Sequence, residues 1–166
     1  MAWTTPKTWQ VDELVTAASM NTQIRDNLNA LKVPPSAHYE CDETSDYTTT
    51  STTFVDVDAA NLSLSITTYG GDVMVHFHGT ISASPALFDV AVDGVRAGSD
   101  DGIVRSQDGS YQNVIAFTRL IAGLSAGAHT FTLQWRTAGS NTARLYAGAG
   151  TSNLDLHPQF WVREVS

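Results

Sequence analysis

Two periodicities divide this chain. Between residues 16 and 32, Ala17, Met20, Ile24, Leu28 and Leu31 recur at intervals of three and four, which places them along one side of an α-helix. Thr16 is a good N-cap, Ala17 and Ala18 are strong helix formers, and Val15 with Met20 would staple the entry. Thr22, Arg25, Asp26 and Asn29 fall on the other side. Val33-Pro34-Pro35 then stops the helix, because proline cannot continue it and pushes its predecessor to extended backbone.

After residue 53 the period is two. Leu62, Leu64 and Ile66 alternate with Ser63, Ser65 and Thr67, and Val73, Val75 and Phe77 alternate with Met74, His76 and His78. Phe88, Val90 and Val92 lead into the tight-turn pair Asp93-Gly94. His129, Phe131, Leu133 and Trp135 alternate with Thr130, Thr132, Gln134 and Arg136, and Trp135 continues the inward side of that strand. Further strands are predicted at Phe54-Val55, near residues 143–147, and through Phe160, Trp161 and Val162. About eight strands with no helical period among them predict two packed antiparallel sheets, a mostly β jelly-roll sandwich preceded by one short amphipathic helix. The strand holding Val114, Ala116 and Leu120 as well as Ile115, Phe117 and Ile121 is apolar on both faces. A two-layer sandwich wets one of those faces, so the extra apolar face predicts a subunit interface.

The predicted organisation is an N-terminal arm and helix over residues 1–35, a Ser/Thr-rich linker over 36–53, and a β-sandwich head over 54–166. In the arm, Trp3 and Trp9 stand among polar residues, and each has apolar surface worth about 2 kcal/mol to bury. They either fold back on their own chain or dock on a neighbour. A lone helix of about 16 residues is marginal in water. Its stripe must therefore pack on the head or on a symmetric partner in a short bundle, the second being slightly favoured.

The formal net charge of the 166 residues is −8. Such a surface repels a phosphate backbone, which argues against nucleic acid as a partner. No run of 18 apolar residues is present, so no membrane insertion is expected, and residues 1–7 lack the apolar core of a secretion signal. The expected place of assembly is a cytoplasm.

Candidate chemistry is sparse. Cys41 is the only cysteine and reads as a small, partly buried residue, with His38 its only local activating partner. His76 and His78 share one side of a strand, an arrangement that can ligate a metal, but no third or fourth ligand is evident; His129 and His157 would serve only if the fold brought them near. Asp89, Asp93, Asp100, Asp101 and Asp108 crowd the loops of one region, where Asp-Gly turns explain most of them without calcium. Only Glu40, Glu43 and Glu164 follow Leu14 as glutamates, so a glycosidase carboxylate pair is not evident. No catalytic residues, cofactor or metal site are assigned, and the chain is expected to be non-enzymatic. Tyr69, Tyr111, Trp135, Tyr146 and Trp161 are the aromatics that could meet a glycan, with Tyr69 and Tyr111 the loop-borne, ligand-facing candidates.

Residues 9–28, WQVDELVTAASMNTQIRDNL, resemble an N-terminal segment common in structural proteins of tailed bacteriophages: Trp, an acidic turn, Val-Thr-Ala-Ala, then Leu-Asn-x-x-Ile/Leu-Arg-Asp-Asn. Met20 stands where Leu is usual and Ser19 where an acidic residue is usual, which removes half of a capping box. Residues 123–135, GLSAGAHTFTLQW, and the ending FWVRE at 160–164 are similar to the jelly-roll heads of phage tail-fibre and decoration proteins, which are commonly trimeric. The resemblance implies a homotrimeric virion component, attached to other tail or capsid proteins through residues 1–33. Trp3, Trp9, Met20, Ile24, Leu28 and Leu31 would carry attachment or oligomerisation. It further implies a tail-fibre or tail-tip role in binding a host-surface glycan or protein, with capsid decoration as the alternative and a free carbohydrate-binding module as a third reading.

Overall fold

The computed structural model describes residues 4–82, 84–107, 111–139 and 141–165. The chain divides into two compact units, with the boundary after Pro35.

In the first unit the helical run starts where the sequence predicts. The Thr16 hydroxyl oxygen accepts the backbone N–H of Ser19 at 3.1 Å, an N-cap. The run comprises α1 (Ala17–Met20), a π-helical stretch (Asn21–Asp26) and α2 (Asn27–Lys32), and ends at Val33. The wide π turn is not legible in the 3-4-4-3 spacing. It falls where Gln23 and Asn27 reach the arm, as described below.

The second unit is an antiparallel sandwich of twelve strands among the described residues. They are β1 (Ser36–Glu40), β2 (Tyr47–Thr49), β3 (Val55–Asp56), β4 (Ser63–Thr68), β5 (Gly71–Ile81) and β6 (Ala86–Val92). They continue as β7 (Val95–Arg96), β8 (Val104–Arg105), β9 (Asn113–Leu124), β10 (Gly127–Thr137), β11 (Ala143–Leu145) and β12 (Gln159–Glu164). The first sheet runs β1-β12-β5-β9, with β11 and β2 continuing beside the end of β5. In the second, β3 and β4 pair one side of β10, β6 pairs the other, and β7 and β8 pair β6. The long strands β4, β5 and β6, and again β9 and β10, change sheet at each step. This alternation with antiparallel pairing makes the sandwich a jelly roll.

Residues 36–53 are not a linker. β1 pairs β12 from Ser36↔Arg163 to Glu40↔Gln159, and β2 pairs β11. Their Ser/Thr content masked short strands, whose partners lie about a hundred residues away. The head is therefore Ser36–Ser166, larger than the predicted 54–166.

Alternation fixes the core. On β5, Val73, Val75, Phe77 and Ile81 point inward and are fully buried, as are Phe131 and Leu133 on β10 with Trp135 beside them. Phe77 stacks on Phe88 across the two sheets, ring centroids 5.4 Å apart, and Phe88 meets Trp135 at 5.8 Å. Offset aromatic contacts of this kind add to the area they bury.

Two buried polar groups tie the loops down. The Asp89 carboxylate is fully buried and accepts the N–H groups of Val90 and Gly98, each at 2.8 Å, and the Arg96 Nε–H at 2.7 Å. Arg96 in turn lies over the Phe54 ring. Asp89 is thus committed to the β6–β7 hairpin and not to an ion; Asp108 lies outside the described residues. Asp89→Ala leaves three donors unsatisfied and should cost about 3 kcal/mol of stability by denaturant titration. Added calcium should not alter the wild-type melting curve.

His129 is also buried. Its Nδ1 lies 2.7 Å from Asp93 Oδ2 and its Nε2 2.9 Å from the Ser125 carbonyl oxygen, so both ring nitrogens face acceptors and the imidazolium is favoured. The hydrogen bond to Asp93, then that to Ser125, raise the pKa of His129, while the Thr130 N–H and then His129 lower that of Asp93. The His129 contribution to stability is fully present below its unfolded-state value near 6.5 and is lost as pH rises through the folded one. That of Asp93 is lost only as pH falls through its depressed value. The thermal midpoint should therefore fall as pH rises above the unfolded-state value near 6.5 and through the raised folded one, and fall less in His129→Gln. Equal slopes in a calorimetric pH series would refute this role.

Candidate functional site

The arm folds onto its own helix. Asn27, buried in the first unit, accepts the Thr4 N–H through Oδ1 at 2.9 Å and donates through Nδ2 to the Thr4 carbonyl, also at 2.9 Å. The Lys7 N–H donates to Gln23 Oε1 at 2.7 Å. Lys7 also sits over the Trp9 ring and pairs with Glu13. Trp9 is partly exposed at 39%, and Trp3 lies outside the described residues.

Gln23 and Asn27 hold the arm, and Ala30 on the same stripe is buried. The stripe one position further on, Met20, Ile24, Leu28 and Leu31, stays open, 43–66% exposed. The amide-bearing side is used internally and the apolar side is not. Asn27→Ala should free the arm, so that trypsin cuts at Lys7 at least several-fold faster while the melting temperature of the sandwich is unchanged.

In the sandwich, the outward face of the first sheet is unusual. Register places four residues in line across β1, β12, β5 and β9: Ser36, Arg163, Met74 and Leu120 in one row. The next rows are His38, Trp161, His76 and Thr118, then Glu40, Gln159, His78 and Ala116. Thr80 and Val114 follow. Within these three rows formal charge stands only at Arg163 and Glu40, near one margin. Val114 is 80% exposed, Leu120 and Ala116 are exposed, and Trp161 is half-buried. β9 pairs only β5 among the described strands.

Two imidazoles occupy the middle of this face. His76 stacks on Trp161, centroids 5.2 Å apart and planes 27° from parallel, and its Nδ1 is 2.9 Å from Thr118 Oγ1. Partial burial, then the neighbouring His78, lower the pKa of His76. The outward face of the second sheet differs. There Ser63 pairs with Thr132 and Ser65 with Thr130 through hydroxyl contacts of 2.9 and 2.8 Å, a polar ladder that satisfies itself.

The remaining sequence candidates are dispersed. Tyr69 is half-buried after β4, its N–H held by both Glu164 carboxylate oxygens. Tyr111, 80% exposed, precedes the far end of β9. Twelve strand residues separate those ends, roughly 35 Å, so one ligand cannot rest on both. Tyr146 and Trp135 are buried and unavailable as a glycan platform. His129 is engaged with Asp93, and the His157 Nδ1–H donates to the Cys41 carbonyl oxygen at 2.7 Å, so neither joins His76 and His78. No three His, Cys, Asp or Glu side chains gather to hold a metal among the described residues.

Cys41 is fully buried, and burial, then the charges of Glu43, Asp58 and Glu40, push its thiol up to about 12. Such a thiol is not poised as a nucleophile. The structure does unite two carboxylates that spacing could not. Asn61 Nδ2 donates to Glu43 Oε1 at 3.2 Å and to Asp58 Oδ2 at 3.1 Å. Tyr39 and Tyr47 hydroxyls donate to Glu43 and Asp58 respectively. Burial raises the Asp58 pKa, but hydrogen bonds from Tyr47, Ala60 and Asn61 outweigh it and hold the group low. An ionised, multiply bonded carboxylate is a poor proton donor, and the cluster fastens the β2 region to the β3–β4 loop.

No protein-family model and no curated protein matches the sequence. Among solved structures, the Eiger TNF from S. frugiperda is similar at 11% identity and TM-score 0.39, over 81% of this chain and 95% of that one. The VP2 subviral particle of infectious bursal disease virus is similar at 13% identity and TM-score 0.36. That match covers 79% of this chain, which spans about 37% of the VP2 chain. At such superposition they carry nothing on function. No helix among the described residues is long and apolar enough to cross a membrane.

Proposed function

We propose that this chain is a non-enzymatic structural protein of a tailed-bacteriophage virion, a trimeric jelly-roll head mounted through residues 1–33. The observation that carries the reading is the open stripe Met20, Ile24, Leu28 and Leu31 on a helix whose other side already holds its arm. A helical run this short does not persist in water with four large apolar side chains uncovered, so its stripe docks on another virion protein. This is the same segment that resembles the phage N-terminal motif.

Self-association uses the outward face of the first sheet. Met74, Trp161, Leu120 and Val114 there lack the hydroxyl ladder that makes the second sheet suited to water. Copies meeting on this face leave the second sheet and the loop tips, Tyr111 included, turned outward. A tail-fibre or tail-tip position, with the head meeting a host-surface glycan or protein, is the favoured placement; capsid decoration is the alternative.

Light scattering on the purified full chain should read a trimer, and Leu120→Arg should read a monomer with an unchanged circular-dichroism spectrum. Ile24→Asp with Leu28→Asp should keep the trimer but lose incorporation into particles by at least about tenfold, since two buried carboxylates desolvate at a cost of several kcal/mol. Gold labelling of virions then separates tail from capsid. A monomeric wild type whose doubly substituted form still incorporates would end the proposal.

A further inference from the structure

His76 and His78 are two residues apart on β5 and project from the same face, with ring centroids 5.7 Å apart. Two imidazoles bound to one tetrahedral ion, with metal–nitrogen distances of about 2.0–2.1 Å, place their centroids roughly 5 Å apart. The observed separation of 5.7 Å is close to that value.

Its surroundings favour that chemistry. The His76 ring is fixed by stacking on Trp161. The Thr118 hydroxyl lies 2.9 Å from Nδ1 and is placed to accept an Nδ1–H, which presents the Nε2 lone pair. A ligating histidine commonly has its second nitrogen held by such an acceptor. His78 makes no hydrogen bond among the described residues, so no partner there competes for its nitrogens. Neither ring is paired with a carboxylate, unlike His129.

We propose that His76 and His78 form a bidentate site for a borderline divalent transition ion, Zn2+, Ni2+ or Cu2+, on the outward face of the first sheet. Imidazole nitrogen selects these ions over Mg2+ and Ca2+, which prefer oxygen. With two protein ligands, the ion keeps open positions for water or for a group from a facing copy. The chelate rests on one chain's geometry and stands whether or not copies associate.

The test is calorimetric titration of the EDTA-stripped full chain with zinc and with nickel at about pH 7.5, where imidazole is largely unprotonated. The same titration is run on Leu120→Arg, in which the face cannot be covered by a copy. Expected is one ion per chain, or per exposed face in Leu120→Arg, with binding abolished in His76→Ala and in His78→Ala and unchanged in His38→Ala. Thr118→Val should weaken it roughly tenfold by freeing the His76 ring. Copper bound to the wild type should show two nitrogen couplings by electron paramagnetic resonance. Absence of binding in both the wild type and Leu120→Arg, or binding that survives His76→Ala, overturns the site. Failure of trimer formation alone leaves these outcomes intact and bears only on the mounted-head reading.

Discussion

A sheet that buries one face in a sandwich must still do something with the other. Here the inner faces meet through Phe77, Phe88, Phe131, Trp135 and Phe160, all almost completely removed from water. Alternation then forces the intervening residues outward, and the two sheets resolve that constraint differently. The second sheet covers its outer side with paired hydroxyls and with Arg96 and Arg136 over Phe54. The first sheet presents Met74, Trp161, His76, His78, Leu120 and Val114. One outer face is finished for water and the other is not, and that asymmetry organises the rest of the molecule.

The loops that close the sandwich are pinned by polar groups rather than by more apolar contact. Asp89 gathers the β6–β7 hairpin, His129 joins Asp93 to the turn before β10, and Glu164 holds the Tyr69 N–H. Asp89 and Glu164 accept N–H groups that would otherwise be stranded, and His129 donates to Asp93 and to the Ser125 carbonyl, so each makes the local backbone path specific as well as stable. Gly98 belongs to the same device: a Cβ there would lie 2.7 Å from Asp89 Oδ1. The acidic loops that look like calcium ligands in sequence are in part this loop carpentry, and the long open face of the first sheet is left free of it.

The core was legible because period-two runs such as Val73, Val75 and Phe77 are local. So was the helix, whose cap and stop are read from Thr16 and Pro34. β1 and β2 were not legible, because Ala37, Tyr39 and Tyr47 pack against the core only when their strands pair β12 and β11, about a hundred residues on. The Glu43–Asp58 cluster escaped for the same reason: Asn61 and two tyrosines from separate strands assemble it. At the candidate surface, the double apolarity of β9 pointed to an interface, but Trp161 entered only as a last-strand residue and a glycan aromatic. Its place between His38 and His76 follows from register across three strands, which no single segment encodes.

The two uncovered surfaces depend on each other energetically. Four helix side chains already about half covered offer roughly 4 kcal/mol of further apolar burial. Association costs at least that much in lost rigid-body freedom, so one such helix holds a partner only weakly. Three helices carried by one trimer change the arithmetic, because after the first docks the others bind at an effective concentration set by their tether. Avidity of this kind strengthens attachment by about 10² to 10⁴ without any new contact, provided the three sites can be reached together. Mating through the first sheet is therefore a condition for mounting through the helix. A head that could not self-associate would also fail to stay attached, even with its helix intact.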